Sequence, residues 1–158
     1  MTMCIKTVLA MFVGILMATI SSAAPTATIA IDFETNEVLL ENNANVRLHP
    51  AGLTKLMTLY VAFQAIETGE VSLDDPIIVS GKAEWVIGSE VKLEEGMEIA
   101  LRYLIRASAV GGANDASMAL AEGLSGSEQM FAQRMNRTAK SLGLTSSVWK
   151  NPHGLTEK

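Results

Sequence analysis

Residues 49–68 read HPAGLTKLMTLYVAFQAIET. From Leu53 to Thr68 the stretch is almost wholly apolar, and Gly69 follows it. A run of that length closed by glycine predicts a helix over 53–68 with a glycine stop. Apolar side chains fall nearly all round it, so a buried central helix is expected rather than a surface one. Lys55 is the only charge between Leu53 and Ile66. An ammonium in such surroundings is costly without partners, so Lys55 either reaches out to solvent or is held in a hydrogen-bond network. By residue type alone, solvent is the simpler reading. Gly52 stands three positions before Lys55 and shares its face.

On the amino side, residues 26–32, TATIAID, alternate and are rich in β-branched side chains, which predicts a strand. Glu34-Thr35-Asn36-Glu37 reads as a turn and Val38-Leu39-Leu40 as a return strand, giving a hairpin. On the carboxyl side, Asp74-Asp75-Pro76 marks a turn before a short Ile77-Ile78-Val79 strand. Residues 98–110 are expected to form a second helix, with Leu101, Leu104 and Ile105 on one face and Gly111-Gly112 as its break. Asn114 or Asp115 can cap a third helix ending near Gly123. Ser125 and Glu128 have capping-box spacing for a fourth, whose apolar face carries Phe131, Met135, Ala139 and Leu142. The tail, TSSVWKNPHGLTEK, reads as an extended loop, and His153 is most simply a residue of that loop. Taken alone, Asn114 is best read as an N-cap. The class is α+β, with no internal repeat. A lone hairpin is marginal in water, and no further strands complete it here, so an incomplete domain is expected.

Composition narrows the function. The 158 residues carry a formal net charge of −5, which disfavours nucleic acid as a partner. Hydrophobic residues at 49% against 18% charged exclude a disordered chain. One cysteine and two histidines leave no disulfide framework and little for a metal, and no cofactor is expected. Residues 1–24 read as a signal peptide: a short basic start, the apolar run TVLAMFVGILMATI and the small-residue stretch SSAAP, with cleavage after Ala23 or Ala24. The run falls short of the roughly 20 residues of a membrane span. Cys4 precedes it, so it does not resemble a lipid-attachment cysteine. Cleavage removes Lys6 and the only cysteine, leaving residues 25–158 as a more acidic, thiol-free domain suited to an oxidising compartment. A periplasmic or secreted location is expected, with membrane contact only during export.

Three stretches carry a family resemblance: HPAGLTKLMTLYVAFQAIE (49–67), LRYLIRASAVGGANDASMALAE (101–122) and NPHGL (151–155). From about Ala27 onward the chain resembles the amino-terminal part of the low-molecular-mass penicillin-binding proteins that act as serine-type D-alanyl-D-alanine carboxypeptidases, the peptidase S11 family. The resemblance implies a β-lactamase/transpeptidase-like domain, here incomplete. It also implies a mechanism. A serine at the start of the central helix attacks the terminal D-Ala-D-Ala amide of a peptidoglycan stem peptide, and a lysine one turn on takes its proton. A Ser-x-Asn motif assists, and a later Lys-Thr-Gly strand binds the substrate carboxylate and lines the oxyanion hole.

Against that pattern Lys55 matches the general base and Asn114 the asparagine. Gly52 occupies the nucleophile position and Gly112 the serine position of Ser-x-Asn, and no Lys-Thr-Gly strand occurs within the 158 residues. Thr54 offers the nearest hydroxyl, but lies roughly 200° round the helix from Gly52. Nothing in the sequence places Ser108 or Ser117 near the lysine's turn. A family homologue without carboxypeptidase activity is therefore expected. The alternative is a non-catalytic periplasmic module that binds muropeptide ends, a partner enzyme or, non-covalently, β-lactams.

Overall fold

The computed structural model describes residues 26–156, so the expected signal peptide at 1–24 lies outside the described residues. Two compact units divide the chain after Leu48.

The first unit is the expected hairpin. Strand β1 (Thr28–Ile31) pairs antiparallel with β2 (Val38–Asn42), with Thr28 opposite Asn42 and an irregularity between Ala30 and Ile31. Asp32 organises the turn. Its Oδ1 accepts from the backbone N–H groups of Glu34 and Thr35 and from Thr35 Oγ1, and these bonds hold its carboxyl below the usual range, with the Thr35 backbone bond the largest cause. By itself, a two-stranded ribbon encloses no core.

The second unit begins at His49. A single 3-10 turn, Ala51–Leu53, leads into α1 (Thr54–Glu67). Next come β3 (Pro76–Ile78), the short helix α2 (Gly81–Glu84), β4 (Glu98–Ala100), α3 (Leu101–Gly111), α4 (Asn114–Ser125) and α5 (Glu128–Ser141). Strands β3 and β4 pair antiparallel, with Ile77 opposite Ile99. Helix α1 packs against α3, α4 and α5. Their shared core includes Val61, Leu101, Leu104, Leu120, Phe131 and Met135, each almost fully buried.

Several boundaries differ from expectation for identifiable reasons. Helix α1 is not enclosed all round. Met57, Val61 and Ala65 are buried, but Leu56 and Phe63 are 66% and 53% exposed, because the neighbouring helices cover one side only. Residues 98–100, expected to start the second helix, form β4 instead. Their pairing with β3, with the Leu101 N–H donating to the Asp75 carbonyl, delays helix entry to Leu101. Neither Asn114 nor Asp115 caps α4. Ala113 holds the N-cap position without a side-chain bond, and Asn114 is already helical. Ser127, not Ser125, caps α5 by accepting from the Met130 N–H. On that helix Phe131, Met135 and Ala139 are buried as expected, while Leu142 at its end is 45% exposed. Helix α2, capped by Ser80, was not anticipated.

Candidate active site

Lys55 lies in the first turn of α1 and is only 8% exposed. Its Nζ donates to Asn114 Oδ1 at 2.7 Å and to the His153 backbone carbonyl at 3.0 Å. Of the two readings the sequence left open, the network is the one realised. Both acceptors are neutral oxygens, and burial lowers the lysine's pKa from its usual 10.5.

Asn114 faces Lys55 because other bonds fix its carboxamide. Its Nδ2 donates to the Ile87 carbonyl at 2.8 Å, and its backbone N–H donates to the Ser89 carbonyl at 2.6 Å. With Nδ2 so engaged, Oδ1 is left to accept from Lys55. Asp115 continues the attachment. Its buried carboxylate accepts from the Val91 and Leu93 backbone N–H groups at 3.0 and 3.1 Å, and also from Ala116 N–H. Residues 87–93 are thus strapped to the start of α4 by two consecutive side chains. Gly88, at φ +101°, permits the close approach, since a Cβ there would lie 2.8 Å from Asn114 Nδ2.

The loop after α5 supports Lys55 from another direction. Asn151, Pro152 and His153 are buried, and Thr58 Oγ1 donates to the Pro152 carbonyl at 2.7 Å. A Cβ on Gly154 would lie 1.9 Å from the Ala51 carbonyl oxygen, so this loop touches the turn that opens α1. His153 is a loop residue, as expected, but its carbonyl belongs to the lysine's network.

The four positions singled out in the sequence meet. Gly52, Lys55, Gly112 and Asn114 line one cleft of about 400 Å³, together with Ser89 and Ser108. Among the described residues, its chain neighbours aside, nothing lies within 4 Å of where a Cβ on Gly52 would stand. Gly112 caps α3 in the left-handed region, at φ +63°. Thr54 is buried and does not line the cleft. Ser108, which nothing in the sequence placed near the lysine, does line it. Its hydroxyl is 2.8 Å from that of Ser117, which donates to the Ala113 carbonyl at 2.7 Å. Sequence reasoning also missed Ser89 and the Asp115 strap. The adjacency of Asn114 to Asp115 was the available signal, but locally it reads only as a choice between two caps. Among the described residues no cluster of His, Cys, Asp or Glu is arranged to hold a metal.

The sequence model of peptidase family S11, described as D-alanyl-D-alanine carboxypeptidase, matches residues 16–158. The chain is 39% identical over 132 residues to the D-alanyl-D-alanine carboxypeptidase DacF of Bacillus subtilis, a match covering 84% of this chain and 34% of that protein. The crystal structure of the carboxypeptidase DacD from Francisella tularensis superposes with a TM-score of 0.81 at 37% identity, over 89% of this chain and 34% of that one. Penicillin-binding protein D2 of Listeria monocytogenes, solved in its ampicillin-bound form, gives 0.73 at 27% identity, over 84% and 53%. The fold is therefore that of the penicillin-binding transpeptidase-like proteins. The chain spans about a third of the length of the curated relatives it matches.

Proposed function

The chain belongs to the D-alanyl-D-alanine carboxypeptidase family, and from that premise we propose that it is a member unable to form an acyl-enzyme at the start of α1. Gly52 carries this reading. It lines the cleft beside Lys55, at the place where the resemblance expects an attacking serine, and supplies no oxygen. A base can accept a proton only from a group that is present, so Lys55 has no nucleophile to activate there. Loss of the serine alone removes nearly all the rate of such a unit, because base and nucleophile act together. Thr54 does not face the cleft, and Ser108 has its hydroxyl paired with Ser117.

The substrate class of the family, a peptidoglycan stem peptide ending in D-Ala-D-Ala, is on this reading recognised without being cut. One observation favours retained binding as the second reading. The Lys55–Asn114 bond and the open cleft persist although the nucleophile is missing. A periplasmic or secreted site of action belongs to the same proposal, supported by the export-type composition of residues 1–24. Incubating the purified chain with a stem peptide ending in D-Ala-D-Ala and assaying free D-alanine tests the activity claim. None above the uncatalysed background is expected, and enzyme-dependent release would refute it.

A further inference from the structure

An ammonium group has three N–H donors. Lys55 gives one to Asn114 Oδ1 and one to the His153 carbonyl, and among the described residues no acceptor takes the third. Nor does any carboxylate among those residues lie within ion-pair distance of Nζ. Among the described residues this side chain, only 8% exposed, thus has no counter-ion, and it lines a cleft that opens beside Gly52. A buried cation in that condition gains most from an anion. The start of the 14-residue α1, which has no side-chain cap, adds partial positive charge at the same end.

We propose that this cleft is a carboxylate site, in which one carboxylate oxygen accepts the third Lys55 N–H from the open space beside Gly52. The inference rests on the reading that no acyl-enzyme forms, since a serine hydroxyl at this position would compete for the same space and the same donor. The glycine thus creates a subsite that a serine would fill. The chemistry also bears on the ligand. Removing the last residue from a peptide ending in D-Ala-D-Ala turns the attacked amide carbon into a carboxylate. A carboxylate site beside the helix start therefore suits the trimmed peptide end, as well as any small free carboxylate.

Chemical-shift titration of the full chain separates the sources. The probes are acetate, a stem peptide ending in a single D-Ala, the C-terminal amide of that peptide, and the peptide ending in D-Ala-D-Ala. The acid with one D-Ala should bind about tenfold or more tightly than its amide, as a charge-assisted bond to a desolvated ammonium implies. Tighter binding of that peptide than of acetate assigns the site to trimmed ends, whereas equal binding assigns it to carboxylates in general. Both Lys55→Gln and Gly52→Ser should erase the preference for acid over amide. Gly52→Ser, whose Cβ meets open space, reads the same point should Lys55→Gln fail to fold. Equal binding of acid and amide, no binding of any carboxylate, or an unchanged preference in Gly52→Ser would overturn the proposal. Covalent modification of the chain by a penicillin would instead remove its premise, so the two failures are distinguishable.

Discussion

Gly154 leaves no room for a side chain. Its φ of +85° is left-handed, and a Cβ would collide with the Ala51 carbonyl at the turn before α1. Gly154→Ala should lower stability by about 2–4 kcal/mol in urea denaturation, combining backbone strain with a forced shift of the loop. The two glycines of the cleft contrast with it and with each other. Gly52→Ser meets open space and should change stability by less than about 0.5 kcal/mol. Gly112→Ser must hold a left-handed conformation and should cost roughly 1 kcal/mol. Lys55 makes a prediction with a definite sign. Its folded pKa is lowered from 10.5 by burial, so between the two values the unfolded chain binds a proton that the folded chain does not. Stability contributed by this group therefore rises with pH across that window, and Lys55→Met should flatten the rise in denaturation midpoints. At this scale the sequence identified Lys55 as a residue needing explanation, because a lone charge in an apolar run is conspicuous. It misread Asn114. Asparagine at a helix start is locally a cap, and the acceptor role depends on a lysine 59 positions earlier that no local pattern reveals.

Among the elements, the strap from residues 87–93 to α4 is the feature that sets the cleft's geometry. Asp115→Ala would leave the Val91 and Leu93 N–H groups without their acceptor, costing about 1–3 kcal/mol, chiefly for the buried Leu93 donor. Hydrogen exchange should quicken at Val91 and Leu93 well before it does in the core of α5, and uniform acceleration would argue against a local strap. Helices were the more legible elements. Their apolar spacing is local, and Phe131, Met135 and Ala139 point inward as their periodicity implies. Residues 98–100 were misread because a three-residue strand has almost no pattern of its own. Its identity comes from pairing with residues 76–78, twenty or more positions away. The exposed side of α1 was hidden for a related reason. Hydrophobicity shows that a surface prefers burial, not whether a neighbour covers it.

For the molecule as a whole, the helical unit places a buried lysine, an asparagine fixed in orientation and a solvent-open cleft at one end of α1. On the proposed reading Lys55 is the group that would accept a proton, and the position that would supply one is Gly52. This combination was readable once three motif stretches were set side by side, because spacing and order survive in a linear sequence. The packing of loop 151–154 against the helix start was not readable, since it joins segments nearly a hundred residues apart. The central claim is that no acyl bond forms on this chain. Intact-mass spectrometry after incubation with excess benzylpenicillin tests it most directly. The account predicts an unchanged protein mass, and a stable gain equal to the whole drug, mapped to any residue of the cleft, would contradict it.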